Sequence, residues 1–231
     1  MNDQKVADSI IEGALHPSIV QTYTWVNHYS ALINLENLIK LDEFNFVGVD
    51  GQFLRLIIGR KFDTTSADRV LPIVFQRNLK VVLIGGKLEN TMNRVDAIHK
   101  KFPNVEIVGN FDGFSIDFLT FDHIGFLLKY EPHLIVIGSG SPLQEKIALA
   151  FANNARLGIK DHGLSIVTCG GWLDQILYES YYPNWSYRLK LNWLVRLFRE
   201  PGRLWKRYSL FAFLAFLKSR KIRQYLGKIV S

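Results

Sequence analysis

Two short apolar runs, each stopped by glycine, do most to limit what this chain can become. Lys80-Val81-Val82-Leu83-Ile84 runs into Gly85-Gly86-Lys87, and His133-Leu134-Ile135-Val136-Ile137 runs into Gly138-Ser139-Gly140. Neither run alternates apolar with polar residues, so neither suits a strand with one wet face. Both suit inner strands of a parallel sheet covered on both sides. Each is followed by a helical pattern: Asn90 to Phe102, with Val95, Ile98 and Phe102 about one turn apart, and Leu143 to Asn153. Val105 to Gly109 and Leu164 to Thr168 read as further strands. Upstream, Phe44 to Val49 reads as a strand ending at Asp50-Gly51, and Ser30 to Leu41 as a strand feeding a helix. Strand, glycine turn and helix, repeated at this spacing, predict an α/β fold, a Rossmann-like sandwich with a mostly parallel sheet.

Ligands of open α/β sheets bind beyond the carboxyl ends of the strands. Asp50, Gly85-Gly86 and Gly138–Pro142 all follow such ends, which places them along one rim. In Gly138-Ser139-Gly140-Ser141-Pro142-Leu143-Gln144-Glu145 the glycines let backbone approach a ligand, and the helix that follows presents free N–H groups to phosphate. This is not the dinucleotide fingerprint, because Leu143 stands at the third glycine position. An ordinary strand-to-helix connection reads the same way, with Gln144 and Glu145 as helix-start residues. Asp50 has two readings as well, an Asp-Gly turn or a carboxylate that takes a proton from an attacking hydroxyl. The six histidines are scattered and no Asp-x-Asp pair is present, so no metal site and no cofactor are expected.

Charge divides the chain. From Ser186 onward, twelve Lys or Arg face the single acid Glu200, a net +11 that leaves −4 on the rest of a +7 chain. From Tyr181 the texture turns to Trp, Tyr, Arg and Leu, and Asn192–Phe198 and Leu204–Leu217 mix apolar with basic residues as interfacial helices do. The expected organisation is an α/β catalytic domain over 1–181 and a membrane-associating appendage over 182–231. Anionic lipid and nucleic acid are the usual partners of such asymmetry. No apolar run reaches the ~18–20 residues of a membrane span, the start is unlike a signal peptide, and the lone Cys169 allows no intrachain disulfide.

Taken in order, these segments resemble the WecG/TagA/CpsF glycosyltransferases (glycosyltransferase family 26) over roughly 31–208. Asn34-Leu35-Glu36 resembles the family's early strand-to-helix turn, Val49-Asp50-Gly51 its Pro-Asp-Gly, and Thr65-Ser66-Ala67-Asp68 its Thr-Gly-x-Asp. Val82 to Lys87 is similar to its Leu-Gly-Gly-Lys, and Gly138 to Glu145 to its Gly-x-Gly-Ala-Pro-Lys-Gln-Glu. The tail is closer still, in Pro183-Asn184-Trp185, Leu191–Leu197 and Arg199–Tyr208.

The resemblance implies inverting, metal-independent transfer of a sugar from a UDP-sugar donor to a polyprenyl-diphosphate-linked saccharide in cell-surface polysaccharide synthesis. It makes Asp50 the general base and assigns UDP-sugar binding to Asn34, Gly85, Gly86, Gly138, Gly140, Ser141, Pro142, Gln144 and Glu145. It brings Arg196, Arg199, Arg203, Arg207, Trp193 and Trp205 to the acceptor diphosphate and an anionic membrane surface. It implies a peripheral protein on the cytoplasmic face of the bacterial inner membrane, with no nucleic acid partner; homo-oligomer formation stays open. Three positions depart from the family pattern: Leu32 replaces a threonine, Asp63 an arginine and Leu143 a lysine. They leave the donor open between an N-acetylhexosamine and a hexose such as glucose. Leu32 and Asp63 also motivate the competing reading, a non-catalytic relative that binds nucleotide-sugar or lipid within a synthesis complex.

Overall fold

The computed structural model describes residues 2–59, 64–158, 162–189 and 191–227. The chain opens with α1 (Asp3–Leu15), β1 (Val20–Val26), α2 (His28–Glu36), β2 (Phe46–Val49), α3 (Gln52–Ile58) and α4 (Ala67–Val74). It continues through β3 (Lys80–Gly85), α5 (Thr91–Lys101), β4 (Glu106–Phe111), α6 (His123–Tyr130), β5 (Leu134–Gly138), α7 (Leu143–Gly158), β6 (Leu164–Thr168) and α8 (Trp172–Gln175). The tail is helical, as α9 (Asn184–Arg188), α10 (Asn192–Arg199), α11 (Pro201–Tyr208), α12 (Leu210–Leu217) and α13 (Ser219–Leu226). Among the described residues the strands form one parallel sheet in the order β2-β1-β6-β5-β3-β4.

The glycine-stopped apolar runs are inner strands for the reason their sequence suggested. Successive residues point to opposite faces. Val82, Ile84, Ile135 and Ile137 pack with Ile147 and Phe151 of α7 on one side of the sheet. Val81, Leu83, Leu134 and Val136 pack with Ile10 of α1, Val70 of α4 and Ile98 of α5 on the other. Both faces are dry, so every position must be apolar, and each such side chain contributes about 1.5–3 kcal/mol.

Two helix expectations need correction. No strand begins at Ser30; α2 already starts at His28. The Asn27 side chain accepts N–H bonds from Tyr29 and Ser30, both at 3.0 Å, while the Asn27 N–H donates to the Ser30 hydroxyl at 2.8 Å. This capping box fixes the helix start. The strand lies upstream, at β1, where polar Thr22 and Thr24 hide it; both are buried because they find partners, Thr22 in Asn45 (3.1 Å) and Thr24 in Thr168 (2.7 Å). The run Leu204–Leu217 is not one helix either, because the backbone breaks at Ser209 (φ −102°, ψ −84°).

The layout selects where a ligand belongs. Neighbouring strands β3 and β5 send their helices to opposite faces, α5 to one and α7 to the other. That divergence opens a crevice at their carboxyl ends. The tail folds back across the same end, with α12 and α13 packed on α2 and α3. Ala215, Ile222 and Leu226 enter the core cluster on the α7 face.

Candidate active site

A cleft of about 810 Å³ lies over the carboxyl ends of the sheet. Of the residues expected at the site, Asp50, Gly86, Gly138, Gly140, Ser141, Gln144, Trp193, Arg196, Arg199 and Arg207 line it.

The glycine turns meet at the crevice. Gly85 has φ +123°, and a Cβ there would stand 2.4 Å from the carbonyl carbon of Gly138, so only glycine permits the two strand ends to close together. The adjoining Gly86-Lys87 turn is braced. Asp174 Oδ1 accepts the Lys87 N–H at 3.1 Å and Asn90 Nδ2 at 3.0 Å, while fully buried Arg94 donates to Asn110 Oδ1 at 3.0 Å. Ser141, Gln144 and Glu145 form a second brace. Glu145 Oε1 accepts the Ser141 hydroxyl at 2.8 Å and Gln144 Nε2 at 3.0 Å, and Gln144 Oε1 accepts the Gly170 N–H at 3.1 Å. Glu145 has no exposed surface, and its burial raises its pKa. Glu145 and fully buried Asn34 therefore lie beneath the turn rather than in the cleft, and Asn34 weakly opposes that rise. Gly85 is covered in the same way, while Pro142, which follows a cis bond to Ser141, also does not line the cleft.

Asp50 follows β2, at the end of the cleft away from β3. The chain reaches it with backbone hydrogen bonds on both sides, Asp50 N–H to Val26 at 2.8 Å and Thr65 N–H to Val49 at 3.1 Å. The residue keeps some surface, yet its carboxyl is enclosed, and burial raises its pKa to about 6. Asp68 adds to the rise, while Arg196, Arg69 and Arg207 oppose it. A carboxylate held near neutrality in a cleft is the usual state of a general base.

The tail supplies the wall opposite the rim. Arg196 stands within the fields of Asp50, Tyr182 and Tyr208; burial lowers its pKa, but these groups together hold it above its ordinary value. A Cβ on Gly171 would lie 3.5 Å from its guanidinium, so Arg196 links the Asp50 side to the turn after β6. Its Nε is buried without a protein hydrogen bond. The Arg207 guanidinium sits 4.1 Å over the Tyr29 ring, and its carbonyl lies 3.0 Å from His28 Nε2. Burial lowers the His28 pKa to about 4, so the ring is neutral near pH 7. Phe53, Trp193 and Tyr208 complete this junction, with Trp193 at 5.6 Å from Phe53 and 5.7 Å from Tyr208 between ring centroids. Arg199 lies 4.8 Å over Tyr181. Trp205 points away and is 66% exposed. The Arg203 side chain and Asp63 fall outside the described residues.

Several lining residues carried no decisive sequence signal: Arg69 at the start of α4, the Gly170-Gly171 turn and Phe114 all border the cleft, beside Asp68 of the Thr65–Asp68 segment. Only Gly170-Gly171, a glycine pair after an apolar strand, repeats the signature that revealed the other turns. Among the described residues no group of three or more His, Cys, Asp or Glu side chains is placed to hold a metal. Nor is any described helix long and apolar enough to cross a membrane.

The family model described as "Glycosyl transferase WecG/TagA/CpsF family" matches residues 46–226. The chain is 29% identical over 186 residues to a UDP-Gal:alpha-D-GlcNAc-diphosphoundecaprenol beta-1,4-galactosyltransferase of Shigella boydii, covering 75% of each protein. It is 30% identical over 207 residues to an N-acetylglucosaminyldiphosphoundecaprenol N-acetyl-beta-D-mannosaminyltransferase of Bacillus subtilis (strain 168), covering 89% of this chain and 76% of that relative.

Proposed function

The chain belongs to the WecG/TagA/CpsF glycosyl transferase family, and from that premise we propose that it moves a hexose or N-acetylhexosamine from a UDP-sugar to a polyprenyl-diphosphate-linked saccharide. The two relatives support the acceptor class, since both are named for a diphosphoundecaprenol-linked N-acetylglucosamine, while their transferred sugars differ. The observation that carries the proposal is the placement of Asp50. A desolvated carboxylate with a pKa of about 6 shares one cleft with a glycine-built strand-end turn and with arginines from the tail.

The reaction is a single displacement. Asp50 takes the proton of the acceptor hydroxyl as its oxygen attacks the anomeric carbon. The bond to the β-phosphate oxygen breaks, and the anomeric configuration inverts. The departing diphosphate collects negative charge at the Gly138–Pro142 turn, where backbone N–H groups and the start of α7 receive it. Arg196 supplies a fork of charged donors between that turn and Asp50, in place of a divalent ion. Arg199 and Arg207 meet the acceptor's diphosphate. Phe198, Trp205, Phe213 and Phe216, which are 60–78% exposed, rest at the headgroup boundary of the cytoplasmic leaflet with the tail's lysines and arginines around them.

The test is a panel of UDP-sugars assayed for UDP release with a polyprenyl-diphosphate N-acetylglucosamine acceptor in EDTA-containing buffer. The proposal expects one hexose or N-acetylhexosamine donor to be used in an acceptor-dependent way. Release from no donor, or release that needs added Mg²⁺ or Mn²⁺, would contradict it.

A further inference from the structure

Arg94 takes a core position on α5, one helical turn before Ile98, and has no exposed surface. A well-packed apolar residue there would cost the fold less. A buried guanidinium is expensive unless its donors and its charge find partners. One donor does, Nη1 to Asn110 Oδ1 at 3.0 Å, but among the described residues Nε and Nη2 have no hydrogen-bond partner. Burial lowers the Arg94 pKa, and Asp174 is the largest influence holding it up. The geometry shows why. A Cβ on Gly86 would stand 2.6 Å from Arg94 Nη2 and 3.0 Å from Asp174 Oδ1, so the two charges converge on the bare side of one glycine. Asp174 lines the cleft with Gly86, Gly138 and Gly140, whereas Arg94 does not. A carboxylate is a poor neighbour for a diphosphate. Lys87 on the same turn does not offset it, because its ammonium already pairs with Glu89 at 3.1 Å.

We propose that Arg94 is a positioning residue whose buried charge offsets the Asp174 carboxylate and so lets the glycine turns receive a diphosphate; this rests on the reading that a nucleoside diphosphate occupies them. The roles divide by burial. Arg94 has no surface in the cleft, so it acts through Asp174 while the N–H groups of the turns meet the ligand. Asp174 keeps its bracing task, with Oδ1 accepting the Lys87 N–H and Asn90 Nδ2. Asn110, whose Nδ2 donates to the Thr91 carbonyl at 2.6 Å, fixes the guanidinium relative to the start of α5. Beneath the sheet end the low dielectric makes such compensation strong. Without Arg94 the same turn would present an unopposed carboxylate to the donor's phosphates.

The experiment is a double-mutant cycle on Arg94→Gln and Asp174→Asn, read by titrating UDP and uridine, with thermal denaturation to establish folding. Arg94→Gln should weaken UDP binding about 2- to 30-fold, the Coulomb effect of one unit charge on another roughly 8 Å away in a medium between water and protein interior. Uridine carries no charge and should bind every variant as it binds wild type. Asp174→Asn alone should tighten UDP binding by a similar factor, a result that needs no substitution in the core. The double variant should return to near wild-type affinity, a rescue that a purely structural role for Arg94 would not produce. UDP binding in Arg94→Gln equal to wild type, equal losses for UDP and uridine, or a double variant as weak as Arg94→Gln would each overturn the counter-charge and leave the proposed function intact. Should Arg94→Gln not fold, unchanged or weaker UDP binding in Asp174→Asn would overturn it. A wild-type protein that binds no UDP would defeat the donor reading and the role of Arg94 with it.

Discussion

The strand-end rim and the C-terminal helices face each other across one cleft, but different physics holds each in place. At the rim, backbone positions are fixed by what lies beneath them. Val81 to Ile84 and Leu134 to Ile137 have no exposed surface, and Glu145, Asp174 and Arg94 brace the turns from behind. In the tail, each helix is buried along one side only. On α12, Ala215 faces the core and Phe211 meets Tyr29 edge-on at 5.0 Å, while Leu210, Phe213, Phe216 and Leu217 are exposed. Contacts such as Tyr225 to the Ile39 carbonyl, Lys218 to Glu36 and His28 to Arg207 tie it down at separate points. A dense core suits a site that must hold reacting atoms to within a few tenths of an ångström, whereas a marginally buried element suits a large acceptor in a membrane.

The sharpest way to break this contrast is at the rim. Asp50→Asn should cut turnover by about 10²-fold or more while UDP affinity stays near wild type, measured by UDP release and by titration. Arg196→Ala tests whether the tail contributes chemistry beyond its anchoring. Losing a charge-assisted donor should cost about 10- to 150-fold in kcat/KM, and Arg196→Lys should not rescue it, because a point charge cannot reproduce the guanidinium fork. Phe213→Ser with Phe216→Ser should reduce retention on anionic vesicles by about 10-fold, yet leave activity on a short-chain soluble acceptor within about two-fold. Equal losses on both acceptors would mean these rings serve the fold, as the core side of α12 does.

A separate effect concerns stability. A carboxyl whose pKa rises on folding costs the native state progressively as pH climbs from the unfolded value of 3.8 to the folded value of about 6. Asp50→Asn should therefore be more stable than wild type by on the order of 3 kcal/mol above pH 6. The advantage should vanish below about pH 4, a difference readable in denaturant midpoints.

What the sequence made legible follows the same division. β3 and β5 were readable because burial on both faces forces unbroken apolar runs, and glycine marked their ends; β6 was readable from Leu164, Ile166 and Val167 although Ser165 and Thr168 interrupt it. β1 was not, since Thr22 and Thr24 are buried through hydrogen bonds to Asn45 and Thr168 that come from distant positions. The α2 start was written in Asn27 and Ser30, a capping signal masked by the apolar residues that follow. Asp50 stood out by its place after a strand, but its raised pKa comes first from burial and then from Asp68, with Arg196 and Arg207, more than a hundred positions away, pulling the other way. Asn34 and Glu145 look like ligand-binding residues in order along the chain; only packing reveals that both lie under the turn. Tail aromatics of the same type divide by helix face, Trp193 and Phe211 toward the body, Phe213 and Phe216 toward solvent.

The central claim, that Asp50 transfers the proton inside a cleft completed by the tail, is most directly tested by the pH dependence of kcat/KM for UDP release. The wild-type enzyme should lose activity as pH falls through about 6, where the Asp50 carboxylate becomes protonated, and hold a plateau above it. In Asp50→Asn the residual activity should lack that acid limb. A wild-type profile that stays flat from pH 5 to 8, or an acid limb that survives in Asp50→Asn, would contradict the assignment.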